Sequence, residues 1–201
     1  MENKKKSKTD LNTLKNFKQS TIAGALIGFG VIINLLTNPP ALGAALFSFG
    51  LLAIIQLQIP LYTGRIGFII NSERQPYWLY LLGNVLGIML AVSTYALTNP
   101  NFEPLIREAA INKFSKTYFA IFLCGCLCGF LIHIAVKCKV PIITVGAIMI
   151  FILIGSEHCI ADVPYLYIYC NWTTILKWLL VVLGNSVGAV FAEGFLRNEK
   201  I

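Results

Sequence analysis

Long apolar runs separated by short polar stretches limit what this chain can fold into more than any other feature. Only 12% of its 201 residues are charged and 57% are hydrophobic, whereas a soluble domain carries about 25% charged residues. Such runs are typical of helices that cross a bilayer, which need about 20 apolar residues. We therefore predict an all-α membrane protein. Six transmembrane segments are expected, at about 21–36, 41–59, 77–97, 118–136, 141–155 with a further apolar piece at 163–170, and 173–192.

The positive charges predict orientation and domain organisation. Six lysines crowd into the first 18 residues. Because the rest of the chain is membrane-like, we interpret them as a cytoplasmic tail and expect no nucleic-acid partner. With the N-terminus inside, twelve Lys and Arg residues lie on the inner side and four lie outside, which places both termini in the cytoplasm and the protein in the inner membrane. The predicted divisions are 1–20 for the lysine-rich tail, 21–197 for the six-helix domain with halves at about 21–100 and 118–197, and 198–201 for the C-terminal end.

The two halves of the sequence resemble each other at an offset of 101 residues. The segment 24–29 matches 125–130, 82–87 matches 183–188, and the prolines at positions 40 and 141 coincide. Each half contains three segments, an odd number, so the halves cross the membrane in opposite senses and form a three-plus-three inverted repeat. Polar, proline-containing stretches follow the second and fifth segments, and broken backbone at membrane depth must line a cavity or pack in protein. This aquaporin-like architecture, with its second and fifth helices broken, is typical of channels and transporters.

Two histidines occupy different surroundings. His158 follows the fifth segment beside Glu157; an ionisable residue at membrane depth is functional by default, and histidine exchanges protons near neutral pH. The alternative is a buried neutral ring bonded to backbone. Glu157 is expected to orient His158 or to cap broken backbone. His133 lies in a continuous apolar helix, where a structural hydrogen bond to a neighbouring helix is the favoured interpretation.

Asn84 and Asn185 occupy the two matched Gly-Asn-x-x-Gly motifs. Small residues allow close helix contact in lipid and an Asn amide can bond exposed backbone, so these residues either pack helices or support the broken segments. Three cysteines at alternate positions from 124 to 128 point to different sides of a helix and cannot converge on a metal. Glu157 and His158 are adjacent and show no ligand spacing such as H-E-x-x-H, so no metal or cofactor is predicted.

Several of these motifs together resemble the formate/nitrite transporter family. The segment 157–162 reads Glu-His-Cys-Ile-Ala-Asp and is similar to the Glu-His-x-x-Ala-Asn signature of the fifth helix in that family. The segment 61–63, Leu-Tyr-Thr, resembles the Leu-Phe-Thr element of the loop that breaks the second helix. The paired Gly-Asn motifs at 83–84 and 184–185 also correspond. The resemblance covers nearly the whole chain after the tail.

This resemblance implies a homopentamer in the lipid bilayer, with a separate pore in each protomer. The residues that it assigns to the pathway match the motifs of the family by position. They are His158 as the central pore histidine, Thr63 as its hydrogen-bonding partner, Phe47 and Leu51 as a cytoplasmic slit, Leu61 and Phe151 as a periplasmic slit, and Lys113 as a vestibule lysine. The chain departs from the family at Gly129 and Asp162, where Asn is usual.

The expected function is passage of a small monovalent weak-acid anion, such as formate, acetate, nitrite, lactate or hydrosulfide. Moving a carboxylate-sized ion into low dielectric costs on the order of 20 kcal/mol in the ideal limit. The anion is therefore expected to gain a proton, from His158 or from water in its field, and to cross as the neutral acid while Thr63 positions it. His158→Asn is expected to change the pH dependence of transport.

Three other functions were weighed. A facilitator for water, glycerol or urea needs no vestibule lysine and no titratable group, and transport independent of pH would favour it. An intramembrane enzyme using Glu157 and His158 needs a third converging catalytic group, which the sequence does not offer, so no enzymatic activity is predicted. A scaffold without transport does not explain the repeat with its matched breaks.

Overall fold

Helices make up all the regular structure in the part of the chain that this computed structural model describes, residues 2–71 and 75–197. The predicted C-terminal end, 198–201, lies outside the described residues, as do Arg74 and Lys200, which were counted among the inner charges. The helices are α1 (Glu2–Leu36), α2 (Pro40–Gln56), α3 (Tyr62–Arg65) followed by a 3₁₀-helix (Ile66–Asn71), α4 (Tyr77–Thr98), α5 (Phe102–Phe114), α6 (Tyr118–Cys138), α7 (Pro141–Leu153), α8 (Val163–Ile168) and α9 (Trp172–Leu196).

Four stretches of the described residues are long and apolar enough to cross a membrane: Asn12–Leu36 of α1 and the whole of α4, α6 and α9. The predicted bounds agree with these helices, except that α1 extends back through the lysine-rich tail to Glu2. Helices α2 and α7 have 17 and 13 residues. At about 1.5 Å per residue, neither reaches across a hydrocarbon core of about 30 Å.

Local sequence explains where the helices begin. Pro40 and Pro141 open α2 and α7, where the missing N–H of proline has no cost. The Thr117 side chain caps α6 by accepting from the amide of Ala120 at 3.2 Å. Asn171 caps α9 in a reciprocal capping box with Thr174, with both bonds at 3.0 Å. These signals fix the starts of the helices independently of tertiary contacts.

The chain is interrupted after α2 and again after α7, where the sequence predicted breaks. Gln58 follows the end of α2 with φ of 55°, and Gly155 follows α7 with φ of 70°. The chain becomes helical again at Tyr62 and at Val163. We call residues 57–61 the first break and residues 154–162 the second break.

Helix α5 was not predicted from the sequence. Phe102, Ile106, Ala110 and Phe114 are its buried residues, and their four-residue spacing is the signal that could have revealed it. The helix packs against α8 and carries Lys113 in its last turn. A regular helix therefore positions this lysine, which the family resemblance had identified only as a vestibule lysine.

Close glycine contacts pack α1 on α4 and α6 on α9, and they correct the predicted alignment of the halves. A Cβ on Gly24 would lie 2.0 Å from the Asn84 carbonyl oxygen, and a Cβ on Gly129 would lie 2.1 Å from that of Asn185. Gly24 therefore corresponds to Gly129, an offset of 105 residues, and the prediction of a constant offset of 101 was wrong for α1 and α6. Both helices carry glycines four residues apart (Gly24 and Gly28, Gly125 and Gly129), so a shift of one helical turn still matches a glycine to a glycine.

The offset also differs at the breaks. Gln58 and Gly155, the two positions of positive φ, lie 97 residues apart, while Asn84 and Asn185 keep the offset of 101. Helix α2 is four residues longer than α7, which accounts for the change from 101 at their first residues to 97 at their ends. The two halves of the chain therefore correspond helix by helix, and the offset between matching residues changes by four from one helix to the next.

Large apolar side chains cover the outer faces of the long helices. Trp78 on α4 is 65% exposed and Phe119 on α6 is 71% exposed, and leucines at intervals along α4, α6 and α9 are exposed with them. An apolar surface this extensive is unsuited to water and is typical of contact with lipid or with another subunit.

Candidate pore site

A buried hydrogen bond between Thr63 and His158 joins α3, which directly follows the first break, to the second break. Thr63, in α3, is completely buried, and His158, in the second break, is 2% exposed. The distance from Thr63 Oγ1 to His158 Nε2 is 2.9 Å. The structure thus brings together two residues that lie 95 positions apart in the sequence and that the family resemblance had paired.

The other ring nitrogen of His158 determines which atom donates in this bond. The backbone N–H of Ala161 donates to His158 Nδ1 at 3.1 Å. A neutral imidazole has one donor and one acceptor, so Nδ1 is the acceptor, Nε2 carries the proton and Nε2–H donates to Thr63 Oγ1. The Thr63 hydroxyl hydrogen then remains free to donate to another group. A second proton on the ring would have to displace the amide of Ala161.

Asn84 holds the first break. Its Oδ1 accepts from the amide of Tyr62 at 2.8 Å. Its Nδ2 donates to the carbonyl of Ser20 at 2.8 Å and to that of Pro60 at 3.1 Å. One fully buried side chain therefore satisfies a carbonyl within the first break and the amide that directly follows it, and ties both to α1.

Asn185 holds the second break in the same way. Its Oδ1 accepts from the amide of Cys159 at 2.9 Å. Its Nδ2 donates to the carbonyl of Gly125 at 2.8 Å and to that of Glu157 at 2.9 Å. Each asparagine thus bonds an interrupted segment and also a neighbouring helix, α1 or α6, so its contacts fit both interpretations that the sequence left open.

A cavity of about 210 Å³ lies on the side of the second break that faces α5; we call it the outer cavity. Its lining includes His158, Lys113 and two aromatic rings, Phe47 and Phe151. The two rings meet edge to face with centroids 6.1 Å apart. The predicted slits had separated these residues, and that grouping was wrong because α2 and α7 pack against each other and bring the rings together.

A second cavity, of about 290 Å³, lies beside α3 and the inner end of α6; we call it the inner cavity. Leu61 and Gly64, on either side of Thr63, line it with the cationic residues Arg65, Lys137 and Lys139. His158 lines the outer cavity, so the Thr63–His158 bond joins a residue of the outer cavity to one whose sequence neighbours line the inner cavity. Leu51, which the resemblance assigned to a slit, is 1% exposed and lines neither cavity.

Four charged side chains converge at the outer cavity. Lys113 and Lys116 each form an ion pair with a different oxygen of Glu157, which is 1% exposed. Lys113 Nζ also lies 3.0 Å from Asp162 Oδ1. Burial lowers the pKa of Lys113, but the nearby Asp162 and Glu157 carboxylates outweigh burial and raise it above its usual value. Lys113 therefore stays positively charged. The sequence had not singled out Lys116 as part of this cluster.

His133 belongs to a separate cluster towards the C-terminal ends of α6 and α9. Its Nε2 lies 2.8 Å from Glu193 Oε2, and Glu193 also accepts from Lys137 and from Asn71, each at 2.9 Å. The structural hydrogen bond predicted for His133 is confirmed. Sequence reasoning missed Glu193, a buried carboxylate within an apolar helix.

The chemistry of these clusters does not resemble a metal centre. Among residues 2–71 and 75–197, no three His, Cys, Asp or Glu side chains are placed to hold a metal ion. All six cysteines fall within these ranges and are free thiols. The carboxylates at the outer cavity are instead neutralised by lysines.

These features define a class: a multi-pass helical membrane protein with a buried polar junction between two cavities. A solved structure described as "Pentameric formate channel with formate bound" is similar, with a TM-score of 0.75, 18% identity, and coverage of 92% of this chain and 96% of that one. Another, described as "FNT family ion channel", has a TM-score of 0.80, 21% identity, and coverage of 95% and 92%. Comparison with curated proteins finds no match.

A family model described as "Formate/nitrite transporter" matches residues 1–197. The chain belongs to the formate/nitrite transporter family. The resemblance inferred from the motifs is thereby confirmed, and the match extends through the lysine-rich N-terminal residues, which the resemblance had left out.

Proposed function

We propose that this protein is a channel for a small monovalent weak-acid anion of the formate, nitrite, lactate or hydrosulfide class, with passage assisted by a proton at the central histidine. The observation that carries the proposal is the position of the Thr63–His158 hydrogen bond. His158 lines the outer cavity, and the neighbours of Thr63 line the inner one. A solute that moves from one cavity to the other passes this pair.

The charges beside the inner cavity favour an anion over a cation. Arg65, Lys137 and Lys139 line it, whereas Lys113 and Lys116 in the outer cavity are offset by Glu157 and Asp162. Fixed cations in a partly dehydrated cavity raise the local concentration of small anions. A facilitator for glycerol or urea gains nothing from these charges, and no contact in the described part of the chain favours it.

The apolar constriction favours the neutral acid over the anion. Phe47 and Phe151 pack edge to face beside His158, so a solute at the pair has apolar rings on one side and the Thr63 hydroxyl on the other. A bare anion loses its hydration there, at a cost of several kcal/mol or more. A protonated acid carries no net charge and can accept a hydrogen bond from Thr63. His158→Asn removes the titratable ring from this position, so we expect it to change the pH dependence of transport.

The arrangement in the membrane is part of the same proposal. Helices α2 and α7 are too short to cross alone, but each is followed by a break and by a further helix, α3 and α8. Six spans with the second and fifth broken, in an inverted repeat, account for these pairs. We propose the inner membrane with both termini cytoplasmic, and a homopentamer like the similar channel whose description names a pentamer.

Uptake by proteoliposomes tests the proposal. Formate, nitrite, lactate and hydrosulfide are compared with urea and glycerol at several values between about pH 5 and 8, where histidine titrates. We expect uptake of at least one weak-acid anion that rises as the pH falls, and no uptake of glycerol. Equal uptake of urea or glycerol at all pH values would show that the protein is a neutral-solute facilitator.

A further inference from the structure

Asp162 has an unused hydrogen-bonding oxygen in the outer cavity. Its side chain is buried, lines the cavity, and lies 3.0 Å from Lys113 Nζ through Oδ1. Its Oδ2 has no hydrogen-bond partner among the described residues, and neither has the hydroxyl of Ser156, which lines the same cavity. A buried polar atom without a partner costs free energy, and a proton on Oδ2 that is donated to a solute in the cavity would remove that cost.

Protonation of Asp162 changes the charge of the outer cavity. Two lysines, Lys113 and Lys116, face two carboxylates, Glu157 and Asp162, so the cluster is neutral when Asp162 is ionised and carries one positive charge when it is protonated. Two buried carboxylates that share one lysine repel each other, which favours a proton on one of them. Asp162 has the free oxygen, whereas both oxygens of Glu157 are engaged by lysines.

The titratable groups that interact with Asp162 or share its cavity come from several elements around it. Lys113 belongs to α5 and Tyr165 to α8, while Lys116 lies in the turn before α6. The others are Glu157, His158 and Cys159 of the second break and Cys128 of α6. Among them, His158 is committed through both ring nitrogens to Thr63 and Ala161, so its proton is not free to transfer without breaking a contact.

We propose that Asp162 is the group that transfers a proton to the permeating anion in the outer cavity. This inference rests on the proposed channel function and assigns the transferred proton to Asp162 rather than to His158, so that the anion is neutralised before it reaches the Thr63–His158 pair. The O–H bond of the Asp162 carboxylic acid breaks, and an O–H bond forms on the weak-acid anion held by the lysines. The electron pair of the broken bond stays on the Asp162 carboxylate. The neutral acid moves on to the Thr63–His158 pair, and a hydronium ion from the outer solution reprotonates Asp162.

The test separates uptake of the anion from uptake of acid that is already neutral in solution. The concentration of formic acid is held fixed while pH and total formate are raised together between about pH 5 and 8, so only the anion concentration increases. The variants are Asp162→Asn, which has the same shape and no transferable proton, and Asp162→Ser as a second neutral variant if the first does not fold. Glu108→Gln, which removes an exposed carboxylate from α5, is the matched control.

We expect uptake by the wild type and by Glu108→Gln to rise with the anion concentration. Uptake by Asp162→Asn or Asp162→Ser is expected to lose this rise and to follow formic acid alone. If uptake by either neutral variant rises with the anion concentration as it does in the wild type, Asp162 is not the proton donor. The proposal also fails if uptake by the wild type itself does not rise. A wild type that takes up no more formate than protein-free liposomes would instead overturn the proposed function.

Discussion

The first break, 57–61, and the second break, 154–162, are held in the same way and carry different side chains. Each is tied by one buried asparagine that accepts from one backbone amide and donates to two carbonyls. The first break offers apolar residues and, just beyond it, Thr63, whereas the second contributes Glu157, His158 and Asp162. The scaffold is therefore duplicated and the ionisable side chains of the breaks are not, so our proposal assigns the titratable groups of the site to the second break.

The largest effects on stability are expected from the two asparagines, and they should be equal. Asn84→Ala or Asn185→Ala leaves one buried amide and one buried carbonyl of the interrupted segment without a partner, at about 1–3 kcal/mol for each group, while the third carbonyl, in α1 or α6, keeps its helical bond. Thermal unfolding in detergent should show a similar large decrease for both variants. Asn112→Ala, on the exposed side of α5, is the control and should unfold like the wild type. A large loss for only one asparagine would mean that the two breaks are not held equivalently.

Glycine substitutions test the correction of the repeat. Gly24→Ala and Gly129→Ala place a Cβ about 2 Å from a backbone carbonyl oxygen, so we expect destabilisation of about 3 kcal/mol, the upper end for overpacking. Gly28→Ala and Gly125→Ala meet their nearest atoms at 2.9 and 3.1 Å and should be milder. Thermal unfolding of the four variants is the measurement. If Gly24→Ala and Gly125→Ala were the two most destabilised variants, Gly24 would correspond to Gly125 and the offset of 101 would be correct.

The smallest effects are expected at the two positions of positive φ. Gln58→Gly should stabilise the protein and Gly155→Ala should destabilise it, each by roughly 1 kcal/mol, because a Cβ is unfavourable in the left-handed region. Unfolding temperatures of the two variants should therefore move in opposite directions. A shift of both in the same direction would show that side-chain contacts of Gln58 outweigh the backbone preference.

The sequence predicted the long helices well because their signals are local. Apolar runs give their length, and Pro40, Pro141 and Asn171 mark where helices begin. The pairing of Thr63 with His158 depends on contacts between distant segments, and only family motifs indicated it. Features that motifs do not encode were missed or misassigned. They are the ion pair of Lys116 with Glu157, the contact of Glu193 with His133, and the alignment of α1 with α6 in the repeat.

The most direct test of the central claim is a double-mutant cycle on formate uptake with Thr63→Val and His158→Asn. If the two residues act as one hydrogen-bonded unit, each single variant should lose about tenfold or more in uptake rate, or ~1.4 kcal/mol or more. The double variant should then lose no more than the worse single one. Wild-type uptake in both single variants, or losses that simply add, would contradict the account.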